Sequence, residues 1–412
     1  MKGSLSIRNR FLSLLGGNVA GQLLMITALP IVTTLFEPAD FGMLGAFGAL
    51  VMLVLPAACL RFDVAIPVPD DEMDARALAV LSFLCSTVFS VVYWVLIQQL
   101  KGLLGSEFVR VIDTFGWLLP LTLWAAAVFS FTQFWAVRSG LYRKLALAHA
   151  SRGLFGAGTQ VGLGLIGTGT IGLLLGQAVY MGLGSVALIV AFLRTELRNL
   201  RKLSAGFVFQ TARRNWRFPV FSVPESLLDS AGANLPILLI VYTSGPEDGG
   251  FLYLAQRITS IPIGIIGGNL SRVYLGEARK QLVAGTLFAF TKRMMRTLLL
   301  FALGPFLIVF FGAPFAFERY LSADWANSVG VLQLILPAAF LQFCVVPVST
   351  VFHVRSRQFA IMLLQACGLI LQVGPILICF WTGLADPITG LAVGAVVYYS
   401  MYVAATYLVA RS

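Results

Sequence analysis

Unbroken apolar runs longer than 18 residues recur along the whole chain, and no other feature restricts its fold as much. A helix needs about 20 such residues, at 1.5 Å each, to cross a ~30 Å hydrocarbon layer. Barrel strands alternate apolar and polar residues, so an outer-membrane barrel is excluded. With 58% of its 412 residues in the AVILMFWYC set, 11% charged and mean hydropathy +0.87, the chain carries too much apolar surface for a soluble globule. A soluble enzyme, a disordered chain and a secreted disulfide scaffold are excluded on the same ground. What remains is an all-α polytopic membrane protein.

Twelve transmembrane helices are predicted, at approximately 11–36, 41–61, 76–99, 115–137, 146–167, 169–193, 217–243, 249–271, 295–317, 326–353, 357–382 and 388–410. The run from Phe11 to about Phe36 exceeds the apolar stretch of a signal peptide and reads as an uncleaved first helix. Segments 62–75 and 272–294 read as interfacial, the second as a basic amphipathic helix. Cys59, Cys85, Cys344, Cys367 and Cys379 all fall in apolar runs and read as small buried hydrophobes. With only His149 and His353, no Cys/His metal cluster can be built, and no metal or cofactor is expected.

Lysines and arginines set the orientation. With the N-terminus inside, one side collects nearly all of the 29 basic residues. The other side has Lys101, Arg110 and Arg319, and Arg257 lies within a span. Both termini are therefore expected in the cytoplasm, and the net charge of +11 needs no nucleic-acid partner. The basic stretch 194–217 reads as a linker, dividing the chain into lobes 1–205 and 206–412 of six helices each.

The lobes resemble each other. LPIVTTLFEPADFGML (29–44) aligns with LPILLIVYTSGPEDGGFL (235–252), and QFWAV (133–137) with QFCVV (342–346). Because each half has an even number of spans, the repeat is parallel, a pseudo-two-fold axis running along the membrane normal. Two such lobes are the architecture of an alternating-access carrier. GLGLIG (162–167) and GTGTIG (167–172) match the dinucleotide fingerprint only as strings; they fall between two spans and read as helix packing.

Charges in hydrocarbon are costly, so those inside spans are the informative residues. Glu225 and Asp229 share one face of the seventh span at i, i+4, and Arg257 lies in the eighth. Asp229 and Arg257 both fall roughly 18 Å from the cytoplasmic side, a depth at which they can pair. Such a pair is either a structural clamp or part of a substrate or coupling-ion site. Asn18 and Gln22 form an equivalent polar stripe on the first helix. Arg61 and Arg152 either snorkel to the cytoplasmic interface or form a cationic vestibule for a phosphorylated headgroup. No P-loop is present, so a proton or sodium gradient is the expected energy source, with Glu225 and Asp229 as coupling candidates.

The stretch TTLFEPADFGMLGAFGALVMLVLPAACLRFDVAIPVPDDEMDARALAVLS (33–82) resembles the opening of Wzx-type exporters, the O-antigen and exopolysaccharide flippases of the MATE-like MOP superfamily. Its features are P-x-D-F-G, then R-[FY]-[DE]-x-A-I, then an acidic D-D-E-x-x-A segment. GGFLYLAQRITSIPIGIIGGNLSRVYLGEA (249–278) and ADWANSVGVLQLILPAAFLQFCVVPVS (323–349) resemble that family's eighth and tenth helices. The resemblance implies a two-lobed flippase moving undecaprenyl-diphosphate-linked oligosaccharides across the bacterial inner membrane. It further implies that membrane lipids, the lipid-linked oligosaccharide and the polysaccharide polymerase and chain-length machinery are partners, and that Arg61, Glu225, Asp229 and Arg257 serve in the lumen. Two alternatives stay open: a cation-coupled multidrug antiporter of the same fold, and a polysaccharide polymerase or ligase. The latter normally has a long outer loop, whereas the longest here is 100–114.

Overall fold

The computed structural model describes residues 7–103, 109, 112–113, 115–200, 202–355 and 357–411. Much of the expected outer loop 100–114, with Arg110, lies outside them, as do the side chains of Asn269 and Arg272. The described residues are helical, with no strand among them.

The chain divides into two compact units, one of residues 1–36 and 46–230 and the other of 37–45 and 231–412. Helices α1 (Ile7–Thr27), α2 (Leu29–Leu35), α3 (Pro38–Ala58), α4 (Phe62–Ala65), α5 (Glu72–Leu100), α6 (Leu118–Arg138), α7 (Tyr142–Leu165), α8 (Thr170–Leu200) and α9 (Ala205–Arg214) come first. Then follow α10 (Val223–Ser244), α11 (Pro246–Pro262), α12 (Gly268–Val283), α13 (Leu287–Tyr320), α14 (Ala326–Val345), α15 (Val351–Val354), α16 (Gln358–Thr382) and α17 (Pro387–Arg411). Helix α3 supplies its first turns to the second unit and α10 its first turns to the first. The expected seam at 205–206 falls at the start of α9, which packs on α5.

Among the described residues, ten helices are long and apolar enough to cross a membrane. The fifth and eighth expected spans are helices too, but neither qualifies by this measure. Arg152 and many glycines dilute α7, and α11 has only 17 residues before a π-helical turn, Ile263–Gly267, carries it into α12. The predicted interfacial helix over 272–294 is not one element. Its first half continues α12 to Val283, Gly285 turns the chain with φ +71°, and the rest opens α13. Only glycine reaches that backbone region without strain. Cys59 and Cys344 are buried as expected, but Cys367 is exposed on α16. A helix in lipid pays no hydration penalty for an outward apolar residue, so apolarity alone does not report burial there.

The acidic segment 70–74 clasps one end of the first unit. Asp71 caps α5 by accepting from the Met73 amide at 3.1 Å. Glu72 pairs with Arg138 at 3.2 Å, and that guanidinium also donates to the Ile66 and Pro69 carbonyls, closing the loop between α4 and α5. Asp74 accepts from Thr211 at 3.1 Å, tying down α9. Arg76 pairs with Glu196 of α8 at 2.7 Å, both side chains mostly shielded at 16% and 13% exposure. Removing one partner of that pair costs about 2 kcal/mol, between the values for exposed and buried pairs. A double-mutant cycle of Arg76→Met and Glu196→Leu, read by melting in detergent, should show the double variant more stable than the sum of the singles. Strict additivity counts against a coupled pair.

Helices approach at backbone distance where they lack side chains. In the first unit, a Cβ at Gly17 would strike the Ala146 carbonyl, one at Gly21 that of His149, and one at Gly153 that of Gly21. This seats α1 on α7, with small residues in place of a hydrophobic driving force. In the second unit the repeated turns meet reciprocally. Both α3 and α11 begin on proline, Pro38 and Pro246. A Cβ at Gly42 would collide with the Pro246 carbonyl, and one at Gly250 with the Pro38 carbonyl. Alongside, fully buried Phe41 stands edge-on to Trp325 at 4.8 Å, and Phe251 stands edge-on to Trp325 at 6.2 Å.

Candidate functional site

Leu60 and Arg61, at the end of α3, are the only non-glycine described residues with left-handed backbone, φ 49° and 60°. Each costs about 1–2 kcal/mol. The strain is held by Leu60 packing on a core that includes Phe62, Ile66, Leu78, Phe131 and Trp135. The corner turns the chain into α4 and leaves Arg61 with a sealed, unpartnered Nε. Electrostatic interactions link Asp229 to Glu225 and to Arg61. Glu225 and Asp229 are exposed on α10, about 10 and 16 Å from Phe218, where the π-helical turn Phe218–Ser222 opens that span. Glu225 has no ion-pair partner among the described residues. Asp229 belongs to the first unit and Arg257 to the second; within its own unit Arg257 stands 5.9 Å from the Tyr253 ring.

Asp63 is a residue the sequence reading missed. It is 5% exposed; its Oδ2 accepts from the Ser130 hydroxyl at 2.6 Å, while Oδ1 is buried without a partner. Its only sequence signal is its place in the R-F-D-V-A-I stretch. Gln22 on α1 is half-buried with an unpartnered Oε1, whereas Asn18 on the same helix is exposed. Gln160 on α7 is 2% exposed with an unpartnered Nε2.

Arg152 lies ten residues into α7, about 15 Å along the helix from Tyr142. Its guanidinium rests 4.0 Å from the Phe129 ring and 4.9 Å from the Tyr180 ring, and its Nε donates to the Tyr180 carbonyl at 2.5 Å. In the first turn of α11, ahead of the expected span 249–271, the Asp248 carboxyl is held above the ordinary range by burial, then by Asp386 and Glu247. No group of three or more His, Cys, Asp or Glu able to hold a metal occurs among the described residues.

An apolar cavity of about 80 Å³ lies in the second unit between α11, α13 and α14, lined by Ile258, Pro262, Phe301, Pro305, Phe306 and Phe343 among others. It contains no charged side chain and has no part in the ionic chemistry above.

The fold has counterparts among solved structures. An inward-facing multidrug-resistance MATE family transporter of the MOP superfamily shares 14% identity, covering 99% of this chain and 96% of its own, with TM-score 0.60. A mutant of the Vibrio cholerae MATE transporter VcmN shares 12% over 98% and 94%, with TM-score 0.58. The lipid II flippase MurJ in an inward closed conformation shares 12% over 95% and 88%, with TM-score 0.69. These neighbours are transporters and flippases, not enzymes. No curated protein sequence matches the chain significantly. A family profile described as "Polysaccharide biosynthesis protein" does match, over residues 31–330. That stretch takes in the acidic clasp, the strained corner at Arg61, the Arg152 cage and the charged face of α10. A multi-pass membrane protein with a MATE-like fold, the chain belongs to the polysaccharide biosynthesis protein family.

Proposed function

We propose that this membrane flippase moves undecaprenyl-diphosphate-linked oligosaccharide repeat units across the bacterial cytoplasmic membrane, supplying surface polysaccharide such as O-antigen or exopolysaccharide. The observation that carries the reading is the family match on a chain whose fold is shared with a lipid II flippase. A polysaccharide pathway needs a step that takes a glycan on a lipid carrier past the bilayer. The mechanism is alternating access of two lobes, with both termini in the cytoplasm. A proton or sodium gradient drives it through Glu225 and Asp229. The cationic groups for the phosphates are Arg61, Arg152 and Arg257, with Asn18 and Gln22 facing sugars. Membrane lipids surround the carrier chain, and a polymerase with its chain-length partner consumes the product.

The MATE likeness keeps one competitor, a cation-coupled drug antiporter. It favours an acid-rich binding region, and Glu225 without an ion-pair partner fits it. A deletion strain separates the two. The flippase reading expects loss of one surface glycan, with its lipid-linked repeat unit trapped on the cytoplasmic leaflet. Normal glycan in that strain, with no second flippase present, and increased drug sensitivity establish the antiporter instead.

A further inference from the structure

We propose that α9 and the turn after it form an anchor that grips anionic phospholipid headgroups at one face of the membrane. The proposal rests on the membrane fold alone and not on what the protein carries. Helix α8 and the segment Phe218–Ser244 are consecutive, and both are long and apolar enough to cross. The connection 201–217 between them therefore stays on one side of the bilayer. Helix α9 fills most of it and is held in shape by the chain itself. The Ser204 hydroxyl accepts from the Phe207 amide at 3.2 Å and starts the helix. At its end the Asn215 side chain donates to the Thr211 carbonyl at 3.0 Å. Buried Thr211 seats the helix on α5 through Asp74, which also draws Arg214 to 3.8 Å.

At about 100° per residue, Phe209 and Arg213 point away from Thr211, hence away from α5. Phe209 is 72% exposed, and Arg213 is exposed on the same side. Past the helix, the Trp216 and Phe221 rings stand 5.9 Å apart with both residues exposed, and Arg217, between them in sequence, is exposed too. Rings so exposed are unfavourable in water and favourable at a headgroup boundary, where tryptophan has an apolar seat and a polar layer for its N–H. The charge matches. Within 194–217 the sole acid is Glu196, and Arg76 holds it at 2.7 Å. Lys202, Arg213 and Arg217 have no ion-pair partner among the described residues. The helix dipole accounts for basic residues in the last turn of α9, Arg213 and Arg214. It does not account for Lys202 and Arg217 outside the helix, nor for the exposed rings. Cationic and aromatic groups interleaved beside a span fit a surface that carries phosphates above hydrocarbon. Phe221 belongs to a membrane-crossing helix and Trp216 stands against it, so the patch runs on into the spanning part of the protein. That continuity selects the bilayer over a partner protein.

Amide hydrogen exchange over 205–217, followed by mass spectrometry on the full-length protein in lipid nanodiscs, tests this. One set holds phosphatidylcholine alone, the other equal parts phosphatidylcholine and phosphatidylglycerol. Phosphatidylglycerol should slow exchange in this segment by about fivefold or more, the effect of one arginine at an anionic surface, while α6 exchanges alike in both. Salt well above physiological strength should erase the difference. Arg213→Gln combined with Arg217→Gln, both at exposed sites, should melt like the wild type and lose most of it. Lysine at both positions should keep it, because the attraction is one of charge. Should the glutamine double variant fail to fold, the salt dependence of the wild type decides. Equal exchange in the two lipids overturns the anchor, as does a phosphatidylglycerol effect that survives high salt or persists in the folded double variant. Protection seen only in native membrane vesicles, and in neither nanodisc, also overturns it and gives the face to a partner protein.

Discussion

Glu225→Gln yields a protein that is made, inserted and thermally stable, yet blind to an imposed ion gradient. The carboxylate is exposed, about 10 Å along its span, and has no ion-pair partner among the described residues, so the amide removes a charge without stranding another. Stability therefore changes little, whereas loading of a proton or sodium ion is lost. In proteoliposomes, wild-type glycan flipping should rise several-fold, roughly the effect of 1 kcal/mol on a rate, when either a pH or a sodium gradient is applied. The variant should flip at the same slow rate with and without it. Asp229→Asn should behave less cleanly, because it also removes a charge that interacts with Arg61. Gradient dependence that persists undiminished in Glu225→Gln assigns the coupling elsewhere.

Leucine at Gly42 or at Gly250 should leave almost no folded protein in the membrane. At both sites the added Cβ coincides with a main-chain carbonyl of the opposing helix, Pro246 or Pro38, and no side chain can rotate away. Ordinary overpacking costs about 1–3 kcal/mol because side chains yield; here two helices must part, and the cost runs above that range. Buried Phe41, Phe251 and Trp325 would be pulled apart in the process. Extraction yield and size-exclusion profile read the effect directly. A monodisperse, abundant Gly42→Leu protein with wild-type melting would show that the contact yields cheaply.

The helical character, the likeness of the two repeated turns and the charged face of α10 were legible in the sequence because each is a matter of local pattern. Apolar runs report spans, P-[AE]-D-x-G reports a helix restart on proline, and i, i+4 spacing reports a shared face. The start of α7 was less legible. The fifth span was expected from 146, whereas the helix begins at Tyr142; its first turn, Tyr142-Arg143-Lys144, looks like a loop by charge alone. The caging of Arg152 by Phe129 and Tyr180 joins residues about 25 positions away on either side, and no spacing rule encodes that. Asp63 was hidden for a similar reason: its partner Ser130 is 67 positions on. The acidic clasp was visible only as a resemblance, and its meaning came from Arg138 and Thr211, which bind it from two other helices, beside the Arg76–Glu196 pair.

The seating of α1 on α7 has a consequence for how the protein is made. Thr27 ends α1 and Tyr142 begins α7, so about 115 residues separate them. At roughly 5–20 residues per second, α1 leaves the ribosome several seconds to some tens of seconds before its partner exists. During that interval Gly17 and Gly21 face no opposing helix and Gln22 meets lipid or another protein. The first helix is thus an early product held in waiting, and the membrane insertion machinery is the natural holder. Nascent chains stalled before residue 142 should still cross-link α1 to the insertase, and chains stalled well past residue 165 should have released it.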